Sequence, residues 1–137
     1  MDNTAVTAKI GAVSYVLWGL LHYTAAYNVY EMAQSLPLAM GQGRLVQLAF
    51  YLAAFATTAI VLAIMLNWRN DRLGFWLNAV IICVGDVPFI LFILAPGYVP
   101  WWPGIPGPGL GIIALACTAI ARSRPPESRK GSLGQPG

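Results

Sequence analysis

Charged side chains are scarce in this sequence. Eight Lys or Arg and five Asp or Glu make up 9% of the chain, against roughly a quarter in an ordinary globular domain. So few charges cannot solvate a water-soluble surface, whereas a bilayer requires no charged coat. Histidine occurs once, at His22, and cysteine twice, at Cys83 and Cys117, each inside an apolar run and without CxxC spacing. That inventory excludes a bis-His haem or a multi-His metal centre within one chain, and it indicates neither a zinc site nor a redox motif. No metal and no cofactor is expected. A Gly-rich phosphate loop, a GxSxG elbow and an HExxH pair are all missing. The run PGIPGPG at 103–109 imitates a phosphate loop only superficially, since its prolines lack the N–H groups such a loop needs. The net charge is +3, but Arg122, Arg124, Arg129 and Lys130 crowd into the C-terminal tail with no aromatic interleaving. That is a poor nucleic-acid footprint, and no nucleic-acid partner is expected.

What the chain has is apolar length: 58% of it is hydrophobic. A spanning helix needs about 20 mostly apolar residues, because the hydrocarbon core is about 30 Å thick and each residue rises 1.5 Å. Ile10 to Tyr30, Leu45 to Leu66 and Leu73 to Leu94 each meet that need. A fourth run, Gly109 to Ala121, is weaker and short by itself, and its helix can begin nearer Pro106 or Pro108, where a first-turn proline is tolerated. The runs lack the alternation of barrel strands, so helices are expected. The first nine residues carry one Lys and no small-residue cleavage site follows, so the first run reads as a retained helix.

The fold class expected is therefore all-α: a bundle of four transmembrane helices over residues 1–122, followed by a basic, disordered cytoplasmic tail at 123–137. Lys9, Arg69, Arg72, Arg122, Arg124, Arg129 and Lys130 fall on one side of such a bundle and only Arg44 on the other. The positive-inside rule then puts both termini and the loop between the second and third spans in the cytoplasm. That loop, Asn67 to Arg72, is short and makes spans two and three antiparallel neighbours. The outer loop from Ala95 to Pro108 is rich in Pro and Gly and carries Tyr98, Trp101 and Trp102, rings that favour the headgroup level.

Polar groups at membrane depth are costly, which makes them the informative residues. Gly11, Ser14, Trp18, His22 and Ala25 form one stripe on the first helix, and Tyr23, Tyr27, Tyr30 and Gln34 another, with Glu31 on its shoulder. Arg44, Gln47, Tyr51, Ala54 and Thr58 share a face of the second helix. Asn78, Ile82, Gly85, Asp86 and Phe89 share one on the third. His22, Tyr51 and Asp86 come to a common level roughly 9–12 Å below the outer boundary. An outward-opening polar pocket follows, with Asp86 and His22 as the candidate acid/base pair. Tyr51, Tyr27, Glu31, Gln47, Arg44 and Trp101 are its candidate lining. The same residues have plainer uses: Asp86 as interior glue with His22 or Tyr51, and Glu31 with Arg44 as an interfacial ion pair. Pro88 frees the carbonyl of Val84 beside Asp86 and predicts a bend there.

The segments 17–34 (LWGLLHYTAAYNVYEMAQ), 66–73 (LNWRNDRL) and 86–109 (DVPFILFILAPGYVPWWPGIPGPG) resemble small four-helix bacterial membrane proteins of uncharacterised function. In size and span count the chain is distantly similar to the DoxX-like group. The likeness runs through most of residues 10–121. It implies a multi-pass protein of the bacterial plasma (inner) membrane and transfers no active-site residue. Three functions stay open at this stage. The first is an accessory subunit, or a binder of a small lipophilic molecule in the outer-half pocket. The second is a membrane-embedded acid/base enzyme (isomerase, cyclase or epoxide-opening) on a lipophilic substrate. The third is an oligomeric transporter coupled through Asp86. The partners expected are the lipid bilayer, a lipophilic small molecule, and a second copy or larger membrane complex.

Overall fold

A computed structural model describes residues 3–123, and these are helical with no strand. The first helix, α1, spans Asn3–Gln34 and α2 spans Met40–Met65. A 3-10 turn at Asn67–Arg69 leads into α3, Arg72–Phe89, which continues as a π-helical stretch, Ile90–Leu94. A single turn, α4, covers Trp101–Gly104, and α5 covers Pro106–Ser123. Three helical segments are long and apolar enough to cross a membrane: Asn3–Gln34, Met40–Arg69 and Arg72–Leu94. The fourth apolar run is the 18-residue α5, about 27 Å long. It starts at Pro106, where a proline costs no hydrogen bond. Ser123, read from sequence as the first tail residue, closes this helix. The expected tail at 124–137 lies outside the described residues.

Small residues set the packing. The buried residues of α2 are alanines, Ala49, Ala56, Ala59 and Ala63. Those of α5 are Pro108, Gly111, Ala114, Thr118 and Ala121. Such seams let backbones approach closely, which is how helices associate where lipid removes the hydrophobic drive between them. Both helices lie along α1, whose own buried face includes Ala8, Gly11, Ala12, Gly19, Ala26 and Ala33. At Gly11 a Cβ would come within 2.6 Å of Thr118 Cγ2, so that crossing excludes any larger residue. The buried face of α3 is a strict four-residue repeat, Gly74, Asn78, Ile82 and Asp86. It closes the bundle around Tyr15 and Trp18, both fully buried.

The α2–α3 connection is as tight as its sequence predicts. Asn70 adopts the left-handed conformation (φ 56°), which Asn tolerates better than most residues. Asp71 caps α3 by accepting from the amides of Leu73 (2.8 Å) and Gly74 (3.2 Å). Asn78 Nδ2 donates to Asn67 Oδ1 (2.8 Å) and to the Ala59 carbonyl (3.4 Å), tying α3 to the turn and to α2. Asn70 also donates to the Ala121 carbonyl (3.3 Å), and the Lys9 ammonium sits 5.4 Å from the Trp68 ring centre. The start of α1, this turn and the end of α5 therefore share one end of the bundle. At Pro88 the helix does not stop. It runs on and widens into the π stretch, with Ala95 N–H donating to Ile90 O (2.8 Å).

Candidate functional site

Asp86 lies at the end of the polar stripe of α3 and is 5% exposed. The helical period puts it on the same face as Ile82, which packs with Tyr15 and Trp18 of α1. Its partner there is Trp18, whose indole Nε1–H donates to both carboxylate oxygens, at 3.1 Å to Oδ1 and 3.0 Å to Oδ2. A donor to a charged acceptor gives a stronger bond than one between neutral groups. One turn along α1, His22 stacks on the Trp18 ring with centroids 3.7 Å apart. His22 Nδ1 lies 2.9 Å from the Trp18 carbonyl. A carbonyl only accepts, so Nδ1 carries the proton and Nε2 is the atom turned to Asp86. Nε2 stands 3.6 Å from Asp86 Oδ1, beyond hydrogen-bond distance but within electrostatic reach.

The third wall is α5. A Cβ on Gly111 would come within 2.5 Å of Asp86 Oδ2 and 2.9 Å of Ile82 Cγ2, and one on Gly107 within 3.7 Å of His22 Cε1. Glycine at 111 is thus what lets α5 close over the carboxylate. Both oxygens are covered, Oδ1 by indole and imidazole, Oδ2 by indole and the α5 backbone. The cluster joins three helices.

Of the residues expected to form one pocket, the structure brings together Asp86 and His22. The other six stand apart. Tyr51 is 48% exposed and Tyr27 60%, and Trp101 on α4 is 63% exposed. Glu31, Arg44 and Gln47 are also exposed. They form two surface ladders, Tyr27 OH donating to Glu31 (2.7 Å), and Arg44 to Gln47 (3.2 Å) to Tyr51 (2.6 Å). Among the described residues none of the six bonds to Asp86 or His22, and Glu31 and Arg44 form no ion pair. Tyr51 therefore does not face the bundle interior as its polar stripe suggested. The reason is geometric. Gln47 is about two and a half turns from Ala56, so when the alanine seam packs inward the polar face must point out. Trp18 was legible as a member of the His22 stripe, four residues away, but not as the carboxylate's donor. Gly111 carries no chemistry that a sequence would flag.

Two cavities adjoin α1, one lined by Ala12, Val16, Ala63 and Trp68 and the other by Val6, Lys9 and Ile10. Neither includes Asp86 or His22. No group of three or more His, Cys, Asp or Glu among the described residues could hold a metal ion. Compared with models of protein families, with curated proteins and with solved structures, the chain matches none.

Proposed function

We propose that this chain is a non-catalytic, four-span protein of the bacterial inner membrane, with both termini cytoplasmic, serving as an accessory subunit of a membrane assembly. The observation that carries this reading is the closed state of the Asp86 cluster. A carboxylate whose two oxygens are covered by Trp18, His22 and the Gly111 backbone works as a clasp between helices. Little of the carboxylate, 8% of its side chain, is left for a substrate to reach. The basic residues gathered at the end shared by Lys9, the α2–α3 turn and Arg122 support the orientation, and the likeness to DoxX-like proteins belongs to the same reading. Three long apolar helices are consistent with a multi-pass membrane protein. The exposed polar ladders on α1 and α2 then serve the headgroup region or a neighbouring subunit. The test is mild-detergent purification from native membranes with mass spectrometry of what accompanies the chain. A second membrane polypeptide in fixed ratio, retained by Asp86→Asn, is the expected result. A chain that purifies alone overturns the subunit reading.

A second reading rests on one specific feature. The Trp18 carbonyl orients the His22 ring, and the third group of that arrangement is a carboxylate. This is the geometry of an oriented general base. His22 is not sealed, its side chain being 13% exposed. On this reading a lipophilic substrate approaches Nε2 from the lipid side, and His22→Gln accumulates that substrate in the purified protein.

A further inference from the structure

Along the first turns of α1 runs an apolar trough that shares no residue with the Asp86 cluster. Its deeper part, about 130 Å³, lies between α1 and α2 and is lined by Ala12, Val13, Val16, Ala63, Ile64 and Trp68. A shallower part of about 330 Å³ continues over Val6, Lys9 and Ile10, with Val13 common to both. The one hydroxyl on this path, Ser14 Oγ, is already used by the Ile10 carbonyl (2.9 Å). The two parts follow one another along α1, from Val6 to Val16, a shape that suits an extended chain.

Lys9 lines the shallower part, and its ammonium lies 5.4 Å from the ring of Trp68, which lines the deeper one, a cation–π contact that holds the charge in place. Among the described residues no carboxylate forms an ion pair with it. Arg69 and Arg72, both exposed, follow Trp68 in the adjoining turn and add positive potential at the same end. An apolar slot with a fixed cation at its mouth matches one class of molecule, an acyl chain bearing an anionic headgroup. We propose that this trough is a binding site for an anionic phospholipid, with an acyl chain along Val13 and Val16 and the headgroup phosphate at Lys9. The inference rests on the membrane reading given above.

The probes are phosphatidylglycerol and phosphatidylcholine with identical acyl chains, added in equal amounts to the detergent-purified full chain and counted as adducts by native mass spectrometry. The wild type is expected to retain the glycerol lipid about fivefold over the choline lipid, from roughly one basic residue's attraction. Lys9→Gln should lower that preference severalfold while binding of both lipids persists. Val13→Trp, at a half-exposed position, should fill the slot and lower both adducts without changing the helical content or melting of the protein. Equal retention by the wild type, or an undiminished preference in Lys9→Gln, overturns the site. Displacement of the lipid by excess glycerol phosphate also overturns it, since a free phosphate would then suffice. Failure of the membrane reading shows separately: alkaline washing would release the chain from vesicles, whereas an embedded chain without lipid preference sinks this inference alone.

Discussion

Trp18 contributes to the Asp86 cluster in two separable ways, as bulk and as a donor. Trp18→Phe keeps most of the packing and removes Nε1–H, leaving the carboxylate short of its hydrogen bond. The expected loss is about 1–3 kcal/mol in a detergent melt. Asp86→Leu should then cost less in the Trp18→Phe background than in the wild type, with a coupling of about 0.5–3 kcal/mol. Strictly additive costs would show that the two residues do not act together. Gly111 offers a sharper steric test. Gly111→Ala pushes a methyl group to 2.5 Å from Asp86 Oδ2 and should destabilise by about 1–3 kcal/mol. Gly109→Ala on the same helix meets nothing within 4 Å and should be neutral or stabilising. Equal melts for the two variants would remove α5 from the wall of the cluster.

At the scale of the elements, the α2–α3 hairpin depends on a few side chains at its turn. Asp71 supplies a side-chain cap on the α3 amides (Leu73 and Gly74), and Asp71→Ala is expected to cost about 1 kcal/mol. Asp71→Ser should restore most of it, because a hydroxyl oxygen accepts from the same amides. An unchanged melting temperature in Asp71→Ala would mean that the hairpin is held by its other contacts, those of Asn78 and Asn70 among them. The hairpin is legible in the sequence because Asn, Asp and Arg interrupt two apolar runs over six residues. The helix after Pro88 is less so. Proline signals the freed carbonyl of Val84, but not the π stretch that follows at Ile90–Leu94.

For the whole molecule, the contacts of Lys9 with Trp68 and of Asn70 with Ala121 place the start of α1, the α2–α3 turn and the end of α5 together. The proposed orientation makes that end cytoplasmic. In a Cys83→Ala, Cys117→Ala background, Arg69→Cys should react with an impermeant thiol reagent only from the cytoplasmic side, and Tyr98→Cys only from outside. Labelling of Arg69→Cys from outside would reverse the orientation and show that the charge bias had misled. Tyr98, Trp101 and Trp102 are all strongly exposed at the opposite end, in keeping with rings that settle among headgroups.

Sequence alone determined that long apolar runs become helices, where they are interrupted, and that Asp86 and His22 are the costly groups needing partners. These follow from local composition, because a backbone in lipid must satisfy its own hydrogen bonds whatever its neighbours. Which faces turn inward was decided only by the tertiary structure. Polar periodicity pointed Tyr51, Gln47 and Arg44 at the interior, and Tyr27 and Glu31 with them. Close approach along Ala49, Ala56 and Ala63 turned the α2 face outward, and the small residues of α1 did the same for Tyr27 and Glu31. Without a hydrophobic drive between helices, contact area gained by small residues outweighs the sheltering of groups that reach one another along their own helix. Asp86 had no such neighbour on α3 and was sheltered instead by Trp18, a partner 68 residues away that only packing could supply.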